Sequence, residues 1–382
     1  MKIVYLYTAL VTVGGADRVV TEKANYLAEV LGHDVYIITD SQNGRQPVFP
    51  LSTKVKHIDL DVNFDKQYHH GLVIRAYYYF SLMRLYKKRL GKLLDEIKAD
   101  VVITTLGRDL DFLTKLNDGS KKVGESHIAK QYTRNFHLME VRGFPYKQIA
   151  QYWRRKQEKA VKKLDAFVVL TQYDAGSWKE IKVANIIPNS LPFYTAESSS
   201  LDKKQIITVG RLSEQKGFDL LVSAWSYITK KHPDWEIHLY GEGELENELK
   251  KSITQNGIED SFIIHKPVKN IKEKYLESSI YVMSSRFEGF GMVLIEAMAC
   301  GVPCISFDCP HGPSYIIKDG EDGILVENGN VERLAEAIST LITDTDKRVA
   351  MGKAAKQNVL RYSQENIMKQ WESLFYKLTN RF

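Results

Sequence analysis

Short runs of β-branched and apolar residues recur along the chain, separated by longer stretches whose apolar positions repeat every three or four residues. The short runs predict strands over 3–7, 35–39, 55–60, 101–105, 122–125 and 166–170. They do so again over 206–209, 236–240, 262–265, 280–284, 304–307 and 324–326. The longer stretches predict helices between many of these, such as 16–31, 74–97 and 152–163. Strands alternating with helices build parallel sheets covered on both faces. Two such sets predict two doubly wound α/β domains. The pattern breaks at Ile186-Ile187-Pro188-Asn189-Ser190-Leu191-Pro192, and a polar segment with Ser198, Ser199 and Ser200 follows. The expected partition is 1–190, 191–361 and a last amphipathic helix over 362–382. That helix carries Ile367, Trp371, Leu374, Phe375 and Leu378 on one face and is expected to return to the first domain. Ligands of doubly wound sheets bind beyond the carboxyl ends of the strands, so a cleft between two such domains is the expected site.

Within this frame the run Glu288-Gly289-Phe290-Gly291-Met292-Val293-Leu294-Ile295-Glu296 stands out. It follows a predicted strand and opens a predicted helix. Its first carboxylate and two glycines therefore fall in a strand-to-helix turn, and its second carboxylate about one and a half turns into the helix. Such a turn offers backbone N–H groups and the positive end of a helix dipole to an anionic or hydroxyl-rich ligand. Glycine lets that ligand approach the backbone. The two carboxylates can accept hydrogen bonds from vicinal hydroxyls of a sugar or ribose. The plainer reading is a buried helix start whose glutamates are a cap and a surface residue.

Three further segments sit at predicted strand ends. Gly14-Gly15 follows the first strand, as a glycine turn suited to a phosphate or sugar or as a turn only, with Arg18 one helical turn on. Gly210-Arg211-Leu212-Ser213-Glu214-Gln215-Lys216-Gly217 follows the first strand of the second set. Arg211 and Lys216 there would stabilise charge on a departing diphosphate, or be ordinary loop charges. His127 ends another strand, as a sugar ligand, an acid or base, or a structural histidine. Gly241-Glu242-Gly243 begins like a dinucleotide fingerprint, but Glu246 takes the third glycine position, which argues against an NAD site. Pro267-Val268 ends the third strand of the second set, where its backbone would edge a nucleobase.

The chain has 382 residues, of which 44% are hydrophobic, enough for two full cores. No apolar run approaches the ~18 residues of a membrane span. The opening Met1-Lys2-Ile3-Val4-Tyr5-Leu6-Tyr7 is read as the first strand of a mature cytosolic protein. Cys300, Cys304 and Cys309 lack a usual zinc spacing, even with His311, and are expected as buried reduced thiols. The net charge of +6 divides into +10 over residues 1–190 and −4 over 191–382. The basic excess gathers at Arg84, Lys87, Lys88, Arg89 and Lys92, and at Arg154, Arg155, Lys156, Lys159, Lys162 and Lys163. Aromatic neighbours include Tyr77, Tyr78, Tyr79, Phe80, Tyr146, Tyr152 and Trp153. This combination reads as a face for a membrane surface or polyanion, or as solvated helix. Nucleic acid is disfavoured for want of a recognition motif.

These motifs together resemble the retaining GT-B glycosyltransferases of family 4. The resemblance rests on Gly14-Gly15, the 210–217 run, Gly241-Glu242-Gly243 and the 288–296 segment. It extends through Ala297-Met298-Ala299-Cys300-Gly301-Val302-Pro303 and Asp319-Gly320…Gly323-Ile324-Leu325-Val326. It implies a GT-B fold with an acceptor-binding first domain and a donor-binding second one. Glu296 would bond the ribose. Glu288 and the backbone of Gly289, Phe290 and Gly291 would hold the donor sugar. Arg211 and Lys216, aided by the N–H groups opening the helix at Met292 and Val293, would grip the diphosphate. His127 would lie near the sugar, and Val268 near the base, although Lys266-Pro267 departs from the glycine-aromatic pair common before that valine. No Asp-x-Asp metal motif is apparent, consistent with cation side chains replacing a metal, so no metal or other cofactor is expected. The run from Ser306 to Pro313 is similar to members using UDP-hexoses or UDP-N-acetylhexosamines.

The resulting expectation is a retaining, metal-independent transferase. It takes a UDP-sugar donor and a glycan or lipid-linked acceptor in bacterial surface polysaccharide or glycolipid synthesis. Its expected location is the cytoplasm or the inner face of the membrane, with the basic N-terminal domain against an anionic membrane surface. A nucleotide-sugar epimerase of the same architecture and a non-catalytic glycan- or nucleotide-binding protein are the rivals. A glycoside hydrolase using Glu288 and Glu296 fits less well, because its carboxylates must face each other across a bond.

Overall fold

The computed structural model describes residues 1–12, 14–69, 71–179, 181 and 184–380. It divides into two compact units. Unit 1 comprises Met1–Pro188 and Gln364–Phe382, and unit 2 comprises Asn189–Ser363. Arg381 and Phe382, the end of the expected last helix, lie outside the described residues.

Unit 1 begins with β1 (Lys2–Tyr7), α1 (Gly15–Glu29), β2 (Asp34–Thr39), β3 (Val55–Asp59), α2 (Leu72–Ile97) and β4 (Val101–Thr104). It continues with α3 (Leu110–Leu113), β5 (Lys121–Glu125), α4 (Phe136–Glu140), α5 (Tyr146–Val161), β6 (Ala166–Val169), α6 (Gln172–Ser177) and β7 (Asn185–Ile186). The strands are parallel, in the order β3-β2-β1-β4-β5-β6-β7. Ile3, Val4, Tyr5 and Leu6 are all fully buried. A strand loses solvent on both sides only where helices cover both faces, which is why it reads as a continuous apolar run. On one face Val4, Leu6, Ile38 and Val102 meet Tyr86, Leu90, Leu94 and Ile97 of α2. The two-residue β7 is too short to show a pattern in the sequence.

Unit 2 begins with β8 (Gln205–Val209), α7 (Phe218–Ile228), β9 (Glu236–Tyr240), α8 (Glu246–Gln255), β10 (Phe262–His265) and α9 (Ile271–Leu276). Then come β11 (Ile280–Met283), α10 (Met292–Ala299), β12 (Cys304–Phe307), α11 (Pro313–Ile316), β13 (Gly323–Val326), α12 (Val331–Thr343) and α13 (Thr345–Asn358). Its sheet runs β10-β9-β8-β11-β12-β13, again parallel. Strand order reverses between β8 and β11, where successive crossovers leave in opposite directions and open a crevice at the carboxyl ends.

The last helix, α14 (Gln364–Thr379), belongs to unit 1. It starts two residues later than the sequence pattern suggests, because Val359–Tyr362 forms a 3-10 turn with Tyr362 buried in unit 2. Ile367, Met368, Trp371, Leu374 and Phe375 are its buried stripe. Lys23 of α1 sets its ammonium 4.0 Å from the centroid of the Trp371 ring.

Candidate active site

The reversal between β8 and β11 is where unit 2 gathers its chemistry. Lys216 ends a 3-10 turn beyond β8, and Gly217 follows at φ 61°. A Cβ at Gly217 would stand 2.1 Å from the carbonyl oxygen of Ser284. Glycine therefore both adopts the left-handed conformation without strain and lets the loop lie on the end of β11. Hydrogen bonds fasten it there. Ser284 Oγ donates to the Lys216 carbonyl at 3.0 Å, the Arg286 N–H to the Gln215 carbonyl at 2.8 Å, and Gln215 Nε2 to the Phe287 carbonyl at 3.1 Å. As a result Lys216 Nζ stands 2.7 Å from Glu288 Oε1, which also accepts from Ser285 Oγ at 2.6 Å. The Glu288 side chain is 7% exposed and that of Lys216 20%. Water screens such a pair weakly, so its charges act strongly on a ligand entering the crevice.

The turn after Glu288 is fixed from behind. Phe290 is buried, its ring edge-on to Tyr362 at 5.5 Å. Gly291 caps α10 at φ 100°. The N–H groups of Met292 and Val293 open that helix, where no preceding turn accepts them. Gly289 lies between Glu288 and Phe290 in the same turn. Glu296, buried a little over one turn into α10, accepts from Tyr275 Oη at 3.1 Å. Arg211 is exposed beyond β8, and Val268 is partly exposed beyond β10. The structure thus brings Arg211, Lys216, Val268, Glu288, Glu296 and the 289–293 backbone to the carboxyl side of one sheet.

Near Val268 the sequence reading missed a ring ladder. Tyr240 stacks on His265 at 4.6 Å, and His265 stacks on His238 with an Nδ1–Nε2 distance of 2.9 Å. Burial, then His238, pushes the His265 pKa down. The available signal was His238 and Tyr240, two residues apart and hence on one face of β9.

Gly14, Gly15 and His127 belong to unit 1. Gly14 caps α1 in extended backbone and Gly15 begins the helix. The turn is held by buried Asp17, which accepts from Tyr7 Oη at 2.7 Å and from the Thr12 N–H at 2.8 Å. Arg18 pairs with Glu22 at 2.7 Å. His127 follows β5, its side chain 7% exposed and Nε2 3.4 Å from Glu125 Oε1. Neither ring nitrogen has a hydrogen bond among the described residues. Burial holds its pKa below the ordinary value despite Glu125, and Lys23 pushes the same way, so the ring is neutral near pH 7. Glu125 is in turn paired with buried Lys23. Neither Asp17 nor the Lys23–Glu125 pair stood out in the sequence, since a buried charge looks like any other charge until its partner is known.

Contrary to the expectation from sequence, Asp-x-Asp triplets do occur, at 59–61, 109–111 and 344–346. Each is engaged structurally. Asp59 accepts from Thr39 Oγ1, Asp111 pairs with Arg134 and Lys156, and Asp344 caps α13. Asp109 is buried at the start of α3. Among the described residues no group of three acidic, histidine or cysteine side chains is placed to hold a metal ion. Cys300, Cys304 and Cys309 are free and buried, and burial raises all three thiol pKa values.

Two family models match the chain: Glycosyltransferase Family 4 over residues 13–192 and Glycosyl transferases group 1 over residues 195–358. An uncharacterized glycosyltransferase of Haemophilus influenzae is 30% identical, covering 98% of this chain and 99% of its own. A Campylobacter jejuni protein is 26% identical over 100% of this chain and 99% of its own. It is named as the α-1,4-N-acetyl-D-galactosaminyltransferase acting on GalNAc-α-(1->4)-GalNAc-α-(1->3)-diNAcBac-PP-undecaprenol. Among solved structures, a TarM variant of S. aureus with fondaparinux, α-GlcNAc-glycerol and UDP superposes at a TM-score of 0.78. That likeness spans 98% of this chain and 99% of the other at 17% identity, and it concerns the fold. With both halves matched by family models and a full-length relative at this identity, the chain belongs to glycosyltransferase family 4 and has the GT-B fold.

Proposed function

We propose that this glycosyltransferase is retaining and metal-independent. It moves a hexosyl or N-acetylhexosaminyl group from a UDP-sugar to a hydroxyl of a glycan or lipid-linked acceptor in bacterial surface polysaccharide or glycolipid synthesis. The observation that carries the reading is the Lys216–Glu288 pair at the β8/β11 reversal, beside the first turn of α10. What similar proteins bind and make is in keeping with this reading. The superposed S. aureus protein holds UDP, and the C. jejuni name specifies an α-linkage on an undecaprenyl diphosphate carrier.

In this reading Glu296 bonds the ribose and Val268 edges the base. The diphosphate meets Arg211, Lys216 and the N–H groups of Met292 and Val293. Donor arrival exchanges the Lys216–Glu288 bond for a cation–phosphate contact and a carboxylate–hydroxyl contact. Glu288, with the Gly289, Phe290 and Gly291 backbone, then holds the sugar. The bond from the anomeric carbon to the diphosphate oxygen breaks, and its electron pair stays on the diphosphate. The fixed positive groups favour that charge more than they favour the ground state. The acceptor oxygen bonds the same face of the anomeric carbon and passes its proton to a diphosphate oxygen. Unit 1, with its Gly14-Gly15 turn, takes the acceptor.

The test is a thermal-shift screen with UDP, GDP, ADP and UDP-sugars, with and without EDTA. UDP should stabilise the protein by about 2.7 kcal/mol at a hundredfold excess over Kd, undiminished by EDTA. A shift with GDP alone would reassign the donor. Loss of the UDP shift in EDTA would remove the metal-free claim. No shift with any nucleotide would sink the site. Conversion of the UDP-sugar without acceptor would identify an epimerase.

A further inference from the structure

Helices α2 and α5 bury one face in unit 1 and leave large aromatic side chains on another. Tyr77 and Phe80 of α2 are 74% and 65% exposed. Tyr152 of α5 is 64% exposed, and Phe144, in the turn just before that helix, 82%. Single exposed apolar residues need no explanation, but a contiguous set does. Phe80 and Tyr152 belong to one such set, with Tyr77 on the same stripe of α2 and Phe144 just before the start of α5. Phe80 meets Tyr79 at 5.6 Å, Tyr79 meets Trp153 at 6.0 Å, and Trp153 meets Tyr152 at 5.7 Å, each edge-on. One aromatic chain thus links two helices and surfaces at both ends.

The charge around it has one sign. Residues 72–94 hold six Lys and Arg and no Asp or Glu, and residues 141–157 hold five and none. Tyr77, Phe80, Arg84 and Lys87 fall three or four apart, on one stripe of α2. Arg84, Lys87, Lys88, Lys147 and Arg155 are exposed and make no ion pair among the described residues. Aromatic rings favour the bilayer interface, and cations beside them favour anionic headgroups. No helix among the described residues is long and apolar enough to cross a membrane, so the face is suited to lying on a bilayer.

We propose that the aromatic faces of α2 and α5, flanked by these cations, dock unit 1 on an anionic lipid bilayer. Tyr77, Phe80, Phe144 and Tyr152 enter the interfacial layer. This stands apart from the donor site in unit 2, because the vesicle assay needs neither nucleotide nor turnover.

The full chain is sedimented with phosphatidylcholine vesicles, with and without one-third phosphatidylglycerol, at low and high salt. Binding to the anionic vesicles alone is expected, and it should fade in high salt as screening shortens the field. Removing Arg84 and Lys87 together as R84A and K87A should weaken partition by about fivefold per cation. Replacing Phe80→Ser with Tyr152→Ser should weaken it at low salt while the circular dichroism and melting temperature stay unchanged. If that pair perturbs folding, Tyr77→Ser with Phe144→Ser gives the same readout. Absence of wild-type binding to anionic vesicles at low salt overturns the proposal. So does equal binding to neutral vesicles, or indifference to both aromatic pairs. Heparin binding without vesicle binding would assign the face to a soluble polyanion and overturn it as well.

Discussion

Lys216 and Glu288 are 72 positions apart and share a hydrogen bond. Each was legible as a candidate because of what surrounds it: glycines, a strand end, a helix start. That they are bound to each other was not legible. Replacing Lys216→Ala removes a cation from the bond-breaking step. It should lower kcat by about 10²- to 10³-fold at saturating donor, and near-normal turnover would exclude the role. Asp40, just beyond β2, went unnoticed because a polar residue after a strand looks ordinary. Burial raises its carboxyl to about 7, against Ser41 and Arg108 and with Asp109 and Asp59. The native state therefore keeps a proton that the unfolded chain has lost above about pH 4. Stability from this group is present in acid and lost as pH rises through about 7. Asp40→Asn should then be the more stable protein at pH 8 by on the order of 1–3 kcal/mol, and the advantage should vanish toward pH 4. Denaturant melts at the two pH values check this.

Elements were the most legible scale. Parallel strands buried on both faces, such as β4 and β11, are written as unbroken apolar runs and stand out, while β3, β5 and β9 carry charged or histidine residues and are marked by their apolar positions and flanking turns. The pieces that do not stand out are those whose conformation follows from contacts. β7 exists because it pairs with β6, and the 359–362 turn exists because Tyr362 packs on Phe290. The 211–217 loop is intermediate. Gly210 and Gly217 at its two ends mark a turn, but only the fold shows that Gly217 lies against Ser284. Gly217→Ala needs a left-handed non-glycine residue, costing about 1–2 kcal/mol, and a Cβ where an oxygen stands. The loop must lift from β11. The melting temperature should fall by a few degrees and the stabilisation by UDP should disappear. A full UDP shift in this variant would show that the loop does not build the site.

At the scale of the whole molecule, the chain leaves unit 1 at Pro188 and returns to it at Gln364. The returning helix α14 is part of the core of unit 1. Trp371 is 1% exposed and lies beneath the Lys23 ammonium. Trp371→Ala should cost about 3–5 kcal/mol. In urea the loss should fall on the unfolding of unit 1, leaving nucleotide-induced stabilisation of unit 2 in place. Loss of the nucleotide-induced stabilisation as well would show that α14 does not act through unit 1 alone. The sequence by itself determined the two α/β sets, the polar segment between them, the amphipathic last helix and the residue types at each strand end. These depend on local periodicity and on which residues tolerate tight turns. Only the tertiary structure decided the strand order, hence the reversal between β8 and β11, and the partners of each buried charge: Lys216 with Glu288, Lys23 with Glu125, Glu296 with Tyr275. A parallel strand finds its neighbour through a crossover, and a buried charge finds its partner across the core. Local sequence specifies neither pairing, because the contacts that select it form only when distant segments pack.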